Sequence, residues 1–419
     1  MTLWHRYRSI PVFYRVMVAL VLGAAFGLIV GKPAGQLKPL GDVLVRLLQM
    51  VVIPIVFLTL VMAMRRIQPT QLGRLGIQTV VLYVLTTAIA IVFGLAIANV
   101  IQPGAGLTIP STAEASQKSA PGLTEVFMGI FPKNPINAMA EGNVLPVIFF
   151  AIVFGIGLAL VREEAEEGSA VYEGATSLFR IVEAAANVMF KIVWGVIEYA
   201  VVGVFALMAW AFGTTGPDLI LSFGKLILAL ALAIVVHITV TYLLGIVVVA
   251  LRKSPRDFLG GAREAITTAF AIRSSSGTLP VTMSNAGENL KIDEGVYSFT
   301  LPLGATINMD GTAMYQGVGA IFAAGIVGTK LTLAQQVSVL LTATLASVGT
   351  AGVPGSGLIM LTLVLTQLGF PLEIIGFVAG IDPILDRMRT MNNVTGDLAV
   401  SSLVAKWNDA IDFDHGVWK

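Results

Sequence analysis

An all-α polytopic membrane protein with eight transmembrane helices and two re-entrant helical hairpins is the fold class predicted for these 419 residues. Three observations predict it. The chain is 56% hydrophobic and only 12% charged, against roughly 25% charge in soluble domains. Up to Arg256 it carries a series of apolar runs of spanning length, for which roughly 20 residues are needed. Beyond Arg256 the apolar runs shorten and are broken by Gly, Pro, Ser and Thr, the pattern of segments that turn inside a membrane around a polar cavity.

The first run, Val12 to Val30, follows a basic start and lacks a small-residue cleavage motif behind it, so it reads as a retained helix and not a signal peptide. Further spans are expected at Leu40 to Met64, Ile77 to Ile101, Val144 to Val161, about Val188 to Phe212, and Leu219 to Leu251. Pro54, Pro146 and Pro383 mark expected kinks. Basic residues fall in alternate connections, at Arg65, Arg66 and Arg74, at Arg162, and at Arg252, Lys253 and Arg256. The positive-inside rule then places the N-terminus in the cytoplasm, and six crossings return the chain there. The Gly, Pro, Ser and Thr-rich stretch from Gln102 to Pro121 belongs outside.

Ala271 to Pro280 breaks one apolar segment, and Ser347 to Gly357 breaks another between Ala334 and Thr366. Neither half of the second reaches a full crossing, so each segment is expected to be a re-entrant hairpin. Between them runs a span from Tyr297 to Val327 interrupted at Asn308-Met-Asp-Gly-Thr312, and after them a helix from about Pro371 to Val404. Hairpin, broken helix, hairpin and polar helix repeat one unit, which is the sequence pointer to inverted repeats around a midplane binding site. The last helix brings the C-terminus back to the cytoplasm.

That last helix carries Asp382, Asp386, Arg389, Asn393 and Asp397. At roughly 100° per residue, the spacing keeps all five within about 80° on one face. Ionisable groups at membrane depth are expensive and usually line an ion or substrate path. Arg389 is a fixed fork suited to a carboxylate, and Asp386 on the same face suits an ammonium group. With backbone N–H groups at the hairpin tips, the set matches an acidic α-amino acid. Asp310 and Asp397, with Asn308 and Asn393, supply hard oxygen ligands that fit alkali cations best. Arg387 lies about 140° from Asp382 and is expected to meet Arg273 or a lipid headgroup.

Several function classes drop out. The chain has no cysteine and three histidines, which leaves no thiolate chemistry and no histidine metal cluster. His237 stands alone in an apolar span, where a hydrogen-bonded core histidine is the expected role. A net charge of +1 points to no nucleic-acid partner. Tyr83, Thr86 and Thr87 read individually as packing residues of the third span. The Gly-x-Gly-Asp motif of intramembrane aspartyl proteases is absent.

Ser274-Ser-Ser-Gly-Thr278, Asn308-Met-Asp-Gly-Thr312, Gly349-Thr-Ala-Gly-Val-Pro-Gly355 and Asp386-Arg-Met-Arg-Thr-Met-Asn-Asn-Val-Thr-Gly-Asp397 resemble the signature segments of the glutamate transporter family, the dicarboxylate/amino acid:cation symporters. The resemblance covers nearly the whole chain and is closest to archaeal sodium-coupled aspartate transporters. It implies a homotrimer working by an elevator mechanism. Residues 1–75 (spans 1 and 2) and 105–215 (spans 4 and 5) would form the scaffold. Residues 76–104 (span 3), 216–253 (span 6) and 254–410 (both hairpins and the last two helices) would form the moving transport domain, leaving 411–419 as a tail.

The same resemblance implies the site. Asp386 would hold the substrate ammonium and Arg389 its side-chain carboxylate, with Thr312, Thr390 and Asn393 as further polar groups. Arg273, Ser274 and Ser275 would approach from the first hairpin tip, and Ala351, Gly352, Val353, Pro354 and Gly357 from the second. One sodium ion would use Gly304, Asn308, Asn393 and Asp397, and a second Thr306, Met309, Ser347, Val348 and Thr350. A third would use Tyr83, Thr86, Thr87, Asn308 and Asp310, replacing the packing role read for the third span. Relatives carry an arginine at the position of Arg273 or at that of Arg387; this chain has both. The expected activity is therefore sodium-coupled symport of L-aspartate or L-glutamate across the cell membrane, with an anion leak and no organic cofactor. The alternative is a proton-coupled glutamate or C4-dicarboxylate symporter.

Overall fold

The computed structural model describes residue 7 and residues 10–67, 73–107, 123–348, 350, 352 and 354–418. Helices make up nearly all of it. They are α1 (Val12–Val30), α2 (Lys38–Ile67), α3 (Gly73–Ile101), the short α4 (Leu123–Met128) and α5 (Pro135–Glu141), α6 (Val144–Glu164), α7 (Ala170–Thr215) and α8 (Asp218–His237). The last continues without a break into a π-helix, Ile238–Leu251. Then follow α9 (Pro255–Ile272), α10 (Ser275–Ser284), α11 (Glu294–Ile307), α12 (Asp310–Val327), α13 (Leu333–Ser347), α14 (Ser356–Leu368) and α15 (Glu373–Trp407). Among the described residues, five segments are long and apolar enough to cross a membrane: Lys32–Arg65, Gly73–Ile101, Val144–Glu164, Ala170–Thr215 and Asp218–Leu251. The protein is a multi-pass helical membrane protein.

Helix starts follow local chemistry. Ser169 accepts from the Tyr172 N–H, Ser254 precedes Pro255 at the first turn of α9, and Thr332 with Gln335 closes a capping box on α13. Pro54 and Pro383 lie inside α2 and α15. Pro146, expected to kink its span, instead falls in the first turn of α6, where a missing N–H costs nothing. The fifth span also differs from expectation. α7 begins at Ala170, long before Val188, and its 46 residues extend about 69 Å at 1.5 Å per residue, more than twice the hydrocarbon thickness. Its first half carries Glu173, Arg180 and Glu183, and Glu183 takes a 3.0 Å salt bridge from Arg65 of α2.

Two groups of helices result. In one, α1, α2 and α6 pack along α7. Glycines let the backbones touch: a Cβ added at Gly23 or Gly27 would lie 2.4 Å from the Phe205 or Ala209 carbonyl oxygen of α7. Arg15 fastens the same pair of helices through a bidentate bond to Glu198 at 2.6 and 2.8 Å. In the other group, α15 runs through the centre of α3, α8, α9, α11, α12 and α14. From Ile374 to Ala405 it is buried almost continuously, which explains why this helix can carry charge at all: its polar face meets protein and not lipid.

The interruptions are tighter than expected. α9 and α10 are separated only by Arg273 and Ser274, with Arg273 in the left-handed region at φ 61°. The break in the seventh span is confined to Asn308 and Met309, so Asp310, Gly311 and Thr312 form the first turn of α12. After α15 the chain folds back, pairing Ile411 with Ile292. Trp418 buries itself there and donates from its indole N–H to the Leu290 carbonyl at 2.7 Å.

Candidate functional site

Three buried polar clusters meet where α3, α8, α12 and α15 cross. The first centres on Arg389, which is fully buried. Its guanidinium donates to Asp382 and to Asp386, both at 2.8 Å, and lies 4.1 Å from the centre of the Tyr315 ring. Its Nε has no hydrogen-bond partner among the described residues. Asp386 accepts from the Gly355 N–H at the start of α14 at 3.4 Å, and the Thr390 hydroxyl returns to the Asp386 carbonyl. Thr312 is buried in the first turn of α12.

The hairpin tips reach this cluster and each other. Ser274 Oγ donates to the Gly352 carbonyl at 2.6 Å and caps α10 by accepting from the Gly277 N–H. Ser275 is buried in the first turn of α10. Gly352 lies against Ala305 and Ser276, where a side chain would collide. Arg273, Pro354 and Asp382 line a cavity of about 340 Å³ that α1 and α7 close with Arg15 and Glu198. Ala351 and Val353, expected at the second tip, lie outside the described residues. Arg387 donates to the Phe270 and Ala271 carbonyls at 2.9 and 3.0 Å, closing the last turn of α9.

The second cluster joins Asn308, Asn393 and Asp397. Asn308 Nδ2 donates to Asp397 Oδ1 at 2.9 Å and reaches the Asn393 carbonyl at 3.5 Å. Asn393 accepts from the Gly311 N–H at 2.7 Å and donates to the Met309 sulfur. A Cβ at Gly304 would strike Asp397 and the Tyr83 hydroxyl, so glycine is required for this approach. Thr306 and the Ser347, Val348, Thr350 segment are not joined in the same way. The Thr306, Ser347 and Thr350 hydroxyls each donate back to carbonyls of their own segments.

The third cluster surrounds Asp310. Thr87 Oγ1 donates to Oδ1 at 2.5 Å, while Tyr242 OH at 2.5 Å and His237 Nε2 at 3.2 Å both meet Oδ2. Thr86 Oγ1 lies 3.4 Å from Asn308 Oδ1, which ties this cluster to the second, and Tyr83 OH donates to the Thr300 carbonyl. His237 is hydrogen-bonded, as expected, yet its partner is a carboxylate of the site. Tyr242 and Tyr315 were missed by sequence reasoning, because a lone tyrosine in an apolar run gives no signal until the residue facing it is known.

Charge decides what such a site can do. Asp310, Asp382, Asp386 and Asp397 of α12 and α15 are all buried, and Arg389 pairs with two of them, Asp382 and Asp386. Asp310 and Asp397 have no guanidinium or ammonium partner among the described residues. Carboxylates buried at membrane depth without a countercharge take up a cation or a proton. Hydroxyl, amide and carboxylate oxygens gathered around Asp310 and Asp397 suit hard cations.

A buried, charged polar centre inside a multi-pass helical protein is the arrangement of a membrane transporter. Residues 12–407 match the sodium:dicarboxylate symporter family, and the chain belongs to it. The proton/sodium-glutamate symport protein of Geobacillus stearothermophilus is 33% identical over 98% of this chain and 97% of its own length. The proton/glutamate-aspartate symporter of Escherichia coli K12 is 33% identical over 95% and 93%. The C4-dicarboxylate transport protein of Yersinia enterocolitica is 30% identical over 96% and 93%. Symport of acidic amino acids or dicarboxylates with a cation is thus the general activity.

Proposed function

We propose that this chain is a sodium-coupled symporter of L-aspartate, with L-glutamate as a second substrate. The observation that carries the reading is the 2.8 Å fork of Arg389 on Asp382 and Asp386 beside the buried carboxylates of Asp310 and Asp397. A substrate carboxylate replaces Asp382 on the guanidinium, its ammonium pairs with Asp386, and cations near Asp310 and Asp397 balance the remaining charge. The Ser274, Ser275, Thr312, Thr390 and Asn393 groups and the second hairpin from Ala351 to Gly357 complete the substrate shell. Sodium is favoured over the proton by Asn308, Asn393 and the side-chain-free Gly304 at Asp397, since amide and carbonyl oxygens bind a metal cation but hold no proton at neutral pH.

The remaining elements of the reading are architectural. Eight spans and two re-entrant hairpins, α9–α10 and α13–α14, set both termini in the cytoplasm. The α1, α2, α6 and α7 group forms a static scaffold in a homotrimer, past which the α3 and α8 to α15 group moves as an elevator, with an anion leak alongside. The second reading, proton coupling, rests on the donors that converge on Asp310 and on the proton-coupled relatives. Uptake of labelled aspartate into proteoliposomes separates the two. Sodium coupling requires an imposed sodium gradient to drive accumulation; equal accumulation driven by a proton gradient in sodium-free buffer overturns it.

A further inference from the structure

His237 is fully buried, and its ring meets a carboxylate of the site, Asp310. It ends α8, and the residue after it begins the π-helix Ile238–Leu251. In an α-helix, residues five apart stand about 140° from each other. The i→i+5 hydrogen bonding of a π-helix, with more residues per turn, brings them much closer to one face. His237 and Tyr242 are five apart, and the change of helix type at this point is what lets both donate to the same oxygen, Asp310 Oδ2.

The ring is held from every side. Thr241 Oγ1 lies 3.0 Å from Nδ1, Phe93 of α3 meets the ring edge-on at 6.0 Å, and Tyr242 packs against it at 4.6 Å and 71°. Facing an ionised Asp310, a neutral imidazole carries its proton on Nε2, and Nδ1 then accepts from the threonine hydroxyl. One tautomer in one orientation results. With Oδ2 held by two donors, Oδ1 is the atom left facing Thr87, and beyond it Thr86 and Asn308.

We propose that His237 is a positioning residue for cation binding: through Nε2–H it fixes the plane of the Asp310 carboxylate, so that Oδ1 and the Thr87 hydroxyl oxygen present themselves together to the entering ion. The Thr87 hydroxyl need only rotate its proton away. This inference rests on the reading of Asp310 as a cation ligand and names the residue that sets its geometry.

The test is sodium titration of purified full-length protein, with labelled-aspartate binding as the readout, for His237→Leu, His237→Gln, Thr241→Val and Asp310→Asn. His237→Leu removes one charge-assisted hydrogen bond and raises the half-saturating sodium concentration on the order of ten-fold. Aspartate affinity at saturating sodium shifts less than about two-fold, because the lost bond acts through the cation site. Gln places an amide N–H where Nε2 stood and restores most of the sodium affinity. Thr241→Val, which keeps the volume and frees the tautomer, gives an intermediate rise and carries the test if His237→Leu does not fold. Gln and Leu behaving alike, no change in Thr241→Val, or equal shifts in both affinities would mean that His237 only packs. If Asp310→Asn leaves the sodium dependence untouched, the cation-site reading itself is wrong, which is a different outcome.

Discussion

Gly357 faces the guanidinium of Arg389 so closely that a Cβ added to the glycine would lie 2.5 Å from Arg389 Cζ. The start of α14 therefore rests directly on the charge at the centre of the site. Movement of this arm and access to the guanidinium are coupled by contact.

Gly357→Ala pushes Arg389 off its present position, since a methyl group cannot occupy that space. The expected result is a loss of acidic-substrate binding of at least about ten-fold, larger than the roughly 1 kcal/mol stabilisation that Gly→Ala otherwise brings to a helix. Binding isotherms for aspartate check it. Unchanged affinity would show that α14 does not cover the bound substrate.

Asp382 is the partner that a substrate carboxylate most directly replaces, at Nη1. Asp382→Asn weakens that pairing and leaves Asp386 in place, so aspartate is expected to bind several-fold more tightly while the ligand-free protein melts at a lower temperature. Arg389→Cys has the opposite effect: it abolishes acidic-substrate binding and spares small neutral amino acids. Thermal melts of both variants, with and without aspartate, read the two signs. Weaker aspartate binding in Asp382→Asn would remove the competition proposed here.

Much of this site was legible in the sequence. The stripe from Asp382 to Asp397 was visible because lipid tolerates no stray charge, and its 3.6-residue period survives into α15. What was not legible has physical causes. The first half of α7 buries one face, with Phe179 and Val182, and carries Glu173, Arg180 and Glu183 elsewhere on its surface, so its mean hydropathy falls below that of a span. The tight break at Asn308-Met309 was overread as five residues, because Asp, Gly and Thr serve equally in a loop and in a first helical turn. The π-helix after His237 left no trace in composition, and so the convergence of His237 and Tyr242 on Asp310 could not be foreseen.

Asp397→Asn tests the second cluster. It keeps the bond from Asn308 within reach but removes the charge, so sodium affinity is expected to fall, and aspartate affinity measured at fixed sodium falls with it through reciprocal linkage. Raising sodium restores the aspartate affinity. Aspartate binding that never depended on sodium in the parent protein would break the coupling argument at its root.

The C-terminal segment acts as a clasp on α9 and on the turn at Leu290. Trp418 is buried, donates to Leu290, and meets Phe413 edge-on at 5.5 Å, while Lys253 reaches the Phe413 carbonyl at 3.3 Å. Asp412 closes the turn before it: the Asp414 N–H and then His415 hold its carboxyl below the usual carboxylate range. A depressed carboxyl contributes above its unfolded value and loses that contribution only as pH falls through the folded one, so the turn is intact at neutral pH. Trp418→Ala removes a buried aromatic worth about 3–5 kcal/mol in a packed site. The loss is local, because α15 and α11 remain packed on each other without it. Hydrogen exchange is therefore expected to accelerate at Ile292 and Asp293, whose N–H groups are bonded to Ala286 and Ala410, and to stay slow along α15. Uniform acceleration through α15 would mean that the clasp supports the whole site, and protection unchanged at Ile292 would mean that it supports nothing.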